Sequence, residues 1–258
     1  MKTTKLVCAA MVCGALMAGF SSCSKDDGPN DVNKRKWVLA SISCHSSGIY
    51  GDSGSWSVDI DDEFSYDSEG RVVEDGDEEV TYRYFSDQIQ NSDGEKFSLD
   101  GNGNIANITS NGYMDYAQYD NSGNLIEFKT HNHSSILEWS NGLLMRFQGY
   151  EGKCTIEYSE STPMNIDCVR ILNSRFISYN ALDGYWALYF MGYFGNIPSK
   201  AICKMTTIFG NGSYSSEITD LYYYKDIDSN GCPAKMIRKT SQGNMDMECV
   251  YDIVWKKL

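Results

Sequence analysis

The sequence predicts an all-β protein: a long antiparallel meander forming one strongly curved or partly closed barrel-like sheet, with a short helical and aromatic insertion near 182–197. Three observations carry this. In the last segment Met245, Met247, Cys249, Tyr251, Ile253 and Trp255 alternate with Asp246, Glu248, Val250, Asp252, Val254 and Lys256. A half-buried strand needs that period of two, and a helix does not produce it. A turn motif recurs in "YDSEGRVVE" (66–74), "LDGNGNIANI" (99–108), "YDNSGNLIEFK" (119–129) and "KDIDSNGCPAKMIRK" (225–239). Finally, 18 tyrosines and 23 glycines against 4 prolines suit many strands joined by tight turns.

Taken from the N-terminus, the first segment is addressing rather than fold. Lys2 and Lys5 precede the apolar run "LVCAAMVCGALMAGF" (6–20), which is short for a membrane span and ends in "FSSC". This resembles a bacterial lipobox, which implies a signal peptide over 1–22 and lipidation of Cys23. Residues 23–36 are polar, contain Gly28 and Pro29 and read as a flexible tether to a single β domain over 37–258. "SKDD" after Cys23 resembles the acidic export signal of lipoproteins displayed on the outer face of the outer membrane. The alternative is a solvated spacer on a periplasm-facing protein.

Within the domain each turn motif pairs an Asp that caps its own turn with a Gly free to take positive φ, which is hairpin chemistry. The glycines at 70, 103, 123 and 142 lie 33, 20 and 19 residues apart, and "NSDG" (91–94) divides the longest interval. The flanking runs alternate: Val80, Tyr82 and Tyr84 oppose Thr81 and Arg83, and Leu143, Met145 and Phe147 oppose Leu144 and Arg146. Asp226, Asp228 and Asn230 match the first half of a calcium loop. The twelfth position, which needs a bidentate carboxylate, is Ile237, so the segment reads foremost as a turn. "LDGYWALYFMGYFGNIPSK" (182–200) breaks the alternation. It reads as an apolar plug packed on the concave side of the sheet, with an aromatic ligand wall as the alternative.

These features together resemble a family of Bacteroidetes lipoproteins of unknown function: YD-type hairpins after a lipobox, "YFMGYFGNIPSKAI" (189–202), and a final strand containing "YDIVW" (251–255). The resemblance covers most of 35–258 and implies a porin-like β fold. It rests on turn and packing residues and transfers no catalytic group.

Chemistry is sparse. No nucleophile-elbow, phosphate-loop, HExxH or dinucleotide motif occurs, so no enzyme activity and no cofactor are expected. The net charge is −13, and without Lys2 and Lys5 it becomes 20 basic against 35 acidic residues, or −15. Such a surface repels nucleic acid and anionic headgroups, leaving the lipid anchor as the contact with the membrane. His131 and His133 lie in a polar turn with no third ligand at metal spacing. Besides Cys23 the domain carries Cys44, Cys154, Cys168, Cys203, Cys232 and Cys249, which are either disulfide-bonded or small buried apolar groups. Cys154 and Cys168, taken to flank a hairpin, are the first candidate pair. Two functional classes stay open. One is a surface binding module for a glycan, peptide or apolar ligand, with Tyr113, Tyr116, Tyr119, Trp56 and Trp139 as stacking candidates. The other is a structural or accessory protein docking to another envelope protein. A lipid-spanning barrel is excluded by charges near the middle of many strands.

Overall fold

The computed structural model describes residues 36–258 apart from 51–54, 76–79, 150–151, 161–162, 183–184 and 211–214. The expected signal peptide, lipidated Cys23 and nearly all of the tether lie outside the described residues, as does the side chain of Trp56.

Alternation along the chain produces sixteen strands. They are β1 (Trp37–Tyr50), β2 (Ser55–Tyr66), β3 (Val72–Asp75), β4 (Val80–Tyr84), β5 (Gln88–Asn91), β6 (Lys96–Leu99), β7 (Ile105–Ser110) and β8 (Tyr113–Tyr119). There follow β9 (Leu125–Lys129), β10 (Ser134–Ser140), β11 (Leu143–Gln148), β12 (Gly152–Tyr158), β13 (Ile202–Phe209), β14 (Ser216–Ile227), β15 (Pro233–Gln242) and β16 (Met245–Lys257). Each pairs antiparallel with its sequence neighbours, and β1 pairs with β16, so the expected curved sheet closes completely into an up-and-down barrel. Closure leaves no exposed sheet edge to be covered.

Successive turns alternate between two rims. At one rim sit the Asp turns, and they repeat one geometry. Asp67 Oδ1 accepts the amides of Glu69 and Arg71, and Asp100 Oδ1 those of Asn102 and Asn104. Asp120 Oδ1 does the same for Ser122 and Asn124, and Asp228 Oδ1 for Asn230 and Cys232, all at 2.8–3.0 Å. "YDSEGRVVE" is thus a self-capped turn.

Aromatic residues near the same rim have their own task. Tyr66 Oη donates to the Leu39 carbonyl, Tyr84 to Val72, Tyr119 to Ile105, Tyr158 to Leu144 and Tyr224 to Ile202. Trp139 and Trp255 use Nε1 in the same way on Leu125 and Pro233. Each ring lies inside the wall while its polar tip satisfies the carbonyl of a residue at the start of a neighbouring strand. Register shifts at Ser65/Tyr66, Gln118/Tyr119, Glu138/Trp139 and Glu157/Tyr158 re-aim these rings inward. One such bulge corrects the expected alternation of 143–147. Glu138 opposes Arg146 and Trp139 opposes Leu144, so Met145 bulges out and Leu144 joins Phe147 in the core.

The insertion between β12 and β13 fills the barrel at the Asp-turn rim. It contains a long helix that the sequence reading did not anticipate, α1 (Ile166–Ala181), followed by α2 (Trp186–Phe190). Asn165 caps α1 by accepting the Asp167 amide. Because α1 lies inside the barrel it is buried on nearly every side, including Asn173, Ser174 and Ser178. Asn173 is fully paired there: its amide donates to the Pro198 and Lys200 carbonyls and its Oδ1 accepts the Ile202 amide. The 182–197 segment packs onto the inner wall as expected, with Phe64 edge-on to Trp186 (4.9 Å), Phe128 edge-on to Phe194 (5.8 Å) and Tyr84 stacked on Tyr193 (5.9 Å).

The plug is also bonded to the rim. The Ile105 amide donates to the Tyr193 carbonyl (2.7 Å) and the Asn196 amide to the Gly123 carbonyl (3.0 Å). Asn196 Nδ2 reaches the Ser122 carbonyl, and the Asn165 amide the Gly231 carbonyl. Gly195 permits this approach: at φ +81°, a Cβ there would lie 2.4 Å from the Gly123 oxygen. Arg175 of α1 pairs with Asp62 of β2 at 2.7 Å, and the Asp62 side chain has no exposed surface.

The outer wall is charged. Glu138–Arg146, Glu157–Lys204, Lys235–Asp252 and Lys239–Glu248 pair across neighbouring strands on the outside. Asp59, Asp61 and Glu63 stand exposed along β2. A lipid-spanning barrel carries a continuous apolar band there, and a basic group at its midplane costs about 2–4 kcal/mol.

The fold makes three predictions. Asp120→Ala removes three accepted hydrogen bonds and should cost about 1–3 kcal/mol in urea unfolding. Arg175→Met strands the buried Asp62 carboxylate and should cost about 3–5 kcal/mol, most of it recovered in the Asp62→Leu, Arg175→Met double variant. The third concerns pH. Partial burial raises the Asp67 and Asp120 carboxyls, but hydrogen bonds from Arg71 and Asn124 outweigh it and hold both below the usual range. The Cys232 amide, with Asn230, lowers Asp228. Groups with depressed folded values stabilise fully above their unfolded values and lose that contribution as pH falls through the folded ones. Urea stability should therefore drop below about pH 4, and Asp120→Asn should make that drop shallower.

Candidate functional site

The plug meets the opposite rim at Tyr185, which bonds Glu95 of the β5–β6 turn. Along the inner face of β2 exposure rises from Asp62 (1%) and Phe64 (8%) to Ile60 (40%) and Val58 (49%), so water enters the barrel from that end. This open mouth holds a cavity of about 320 Å³.

Its walls come from the hairpin turns that join β7 to β8 and β9 to β10. The residues are Ser110, Asn111, Tyr113 and Asp115 on one side and the 130–133 turn on the other, with Tyr185 of the plug reaching in from below. The Tyr113 and His131 rings stack with centroids 4.1 Å apart and planes 20° apart, forming an exposed aromatic platform. Asp115 holds the platform by accepting the His131 amide (3.2 Å). Buried Thr130 organises the turn: its Oγ1 accepts the amides of Asn132 (3.2 Å) and His133 (3.1 Å) and lies 3.1 Å from His133 Nδ1. Tyr185 Oη donates to Glu95 Oε1 at 3.0 Å, while its ring packs on Phe97, Phe128 and Phe194, so the floor is tied to both plug and wall.

The cavity combines a flat apolar surface with hydroxyl, amide, imidazole and carboxylate groups, and no lysine or arginine lines it. Such a set can stack on a ring and hydrogen-bond its substituents, without attracting a phosphate or sulfate.

The expected stacking residues separate by location. Tyr113 is in the mouth. Tyr116 is exposed on the outer wall opposite Lys129. Tyr119 and Trp139 belong to the inner girdle with their polar tips bonded to backbone. His131 and His133 lie in their polar turn beside Tyr113, with His131 exposed. In the candidate calcium segment, Asp228 already accepts two amides and the Asn230 side-chain amide. Asp226 is the last but one residue of β14, at φ 52°. No group of three or more metal-ligating side chains occurs among the described residues.

The proposed Cys154–Cys168 pair requires correction. The chain after β12 enters helix α1 instead of a second hairpin strand, and Cys168 lies against Cys232, sulfur to sulfur 3.3 Å. Cys154 Sγ lies 3.7 Å from the Thr155 carbonyl. Across the closing seam Ser46 Oγ bridges Cys44 and Cys249 at 3.3 and 3.2 Å. Hydrogen bonds from Cys44 and Ser46, together with the Arg238 charge, outweigh burial and lower the Cys249 thiol to about 6.

A closed sixteen-strand barrel with an internal plug is a porin-like β-barrel fold. The chain is similar to a porin-like protein from Bacteroides vulgatus known from its crystal structure, with a TM-score of 0.53 and 13% identity over 85% of this chain and 99% of that one. At that identity the likeness concerns the fold. The sequence matches no protein-family model and no curated protein.

Proposed function

We propose that this porin-like barrel is an envelope lipoprotein, anchored through Cys23, that binds a neutral glycan in its open mouth. The observation that carries the reading is the Tyr113–His131 platform ringed by Ser110, Asn111, Asp115 and Asn132. Pyranose rings offer an apolar face to an aromatic plane and hydroxyls to such neighbours, and a lining without lysine or arginine disfavours anionic sugars. The direction of the mouth fits an anchored capture protein. Lys36 and Leu258 meet at the plugged rim, where the Leu258 amide donates to the Lys36 carbonyl, so the tether joins the barrel at the rim opposite the mouth. Display on the outer surface follows from the "SKDD" segment after Cys23.

The test is the thermal shift of the full-length chain in detergent against neutral and acidic oligosaccharides. A neutral glycan at a hundredfold excess over its Kd should raise Tm by about 5–10 °C. Tyr113→Ala should abolish the shift, while Tyr116→Ala on the outer wall should keep it. No shift with any glycan, alongside stoichiometric co-purification with another envelope protein, would favour the accessory role.

A further inference from the structure

We propose that Cys168 and Cys232 form a disulfide that staples the plug to the barrel wall. The two sulfurs lie 3.3 Å apart, and closing a disulfide needs an approach of only about 1.3 Å. Cys168 is on the first turn of α1, and Cys232 closes the Asp turn between β14 and β15. Neither position is left to chance. The Cys232 amide is bonded to Asp228 Oδ1 at 2.8 Å. Just before Cys168, the Asn165 amide donates to the Gly231 carbonyl (2.8 Å), and Asn165 Nδ2 to the Asn230 carbonyl (3.3 Å). Gly231 lets the helix come this close, since a Cβ there would lie 2.7 Å from the Asn165 nitrogen. Two hydrogen bonds from Asn165 therefore hold the helix start against the turn beside the sulfur pair.

The chemistry is exchange with an oxidising disulfide, R–S–S–R, of the kind present outside the cytoplasm. The Cys232 thiolate attacks one sulfur and releases R–S⁻. The Cys168 thiolate then displaces the second R–S⁻ from the mixed disulfide. Two thiol protons end on the two leaving thiolates, and the cysteine pair loses the two electrons the oxidant gains. Both thiols are buried and burial raises both, so the exchange occurs while α1 docks, before the barrel has sealed around it. The staple joins positions 64 residues apart and ties the plug covalently to the wall. It makes the occlusion of the barrel at the Asp-turn rim a permanent state.

The test is alkylation of the full-length chain, purified from an oxidising compartment and denatured without reductant, followed by peptide mapping. The expected result is a cross-linked peptide containing Cys168 and Cys232, lost on reduction. Alkylation of both cysteines in the unreduced sample, or either one joined to a different cysteine, overturns the proposal. A second measurement separates the staple from simple packing. Dithiothreitol should lower the Tm of the wild-type chain by roughly 5–15 °C and leave a Cys168→Ala, Cys232→Ala double variant unaffected. Equal sensitivity of the two proteins to reductant would contradict it.

Discussion

Everything in this protein follows from the width of its barrel. About eight strands close around a space that wall side chains can fill, whereas sixteen leave a lumen. A membrane porin keeps that lumen as water and puts its apolar side chains outside, in lipid. Here the outside carries cross-strand ion pairs, so the apolar face of the alternation must point inward. An apolar lumen of that width has to be filled by other parts of the chain, and the 163–201 segment is what fills it. Leu188, Tyr189, Phe190, Met191 and Phe194 have no exposed surface because the wall encloses them.

The repeated Asp turns acquire a meaning in this setting. Each first caps itself, and two of them then serve as sockets. The carbonyls of Gly123 and Gly231 are the acceptors that hold Asn196 and Asn165 of the plug. A rim made of rigid, self-satisfied turns can present carbonyls at fixed positions, which a mobile loop could not do without paying more ordering entropy. The girdle of Tyr and Trp tips below it satisfies the carbonyls of the next residues down. Rim, girdle and plug thus form a hydrogen-bonded lid over one end, and the other end keeps its water.

Much of this was legible in the sequence because it rests on local chemistry. Period-two alternation in 245–256 and Asp–x–x–Gly turns declare strands and hairpins whatever their partners, and the aromatic crowding of 182–197 declared something buried. Closure was not legible, since it depends on β1 meeting β16 across the whole chain. Helix α1 had a readable signal: apolar side chains at 168, 169, 171, 172, 176 and 177 keep a helical spacing after the Asn165 cap. Buried Asn173, Ser174 and Ser178 obscured it, because a helix inside a barrel can spend polar residues on internal bonds where a surface helix would be apolar on one side. At the mouth Tyr113, His131 and His133 each stood out, yet the stack of Tyr113 on His131 appears only once β8 and β9 are paired. The same holds for Cys168 and Cys232, brought together by the plug and not by spacing.

The central claim is that plug and rim are one cooperative unit. Native-state hydrogen exchange at the Ile105 and Asn196 amides tests it most directly, because their acceptors, the carbonyls of Tyr193 and Gly123, lie across the plug–rim boundary. If the account is right, both exchange only through global unfolding, with the same free energy and urea dependence as amides of the β1–β16 seam. If they exchange by a cheaper local opening while the seam stays protected, the plug is a movable part and the barrel stands without it.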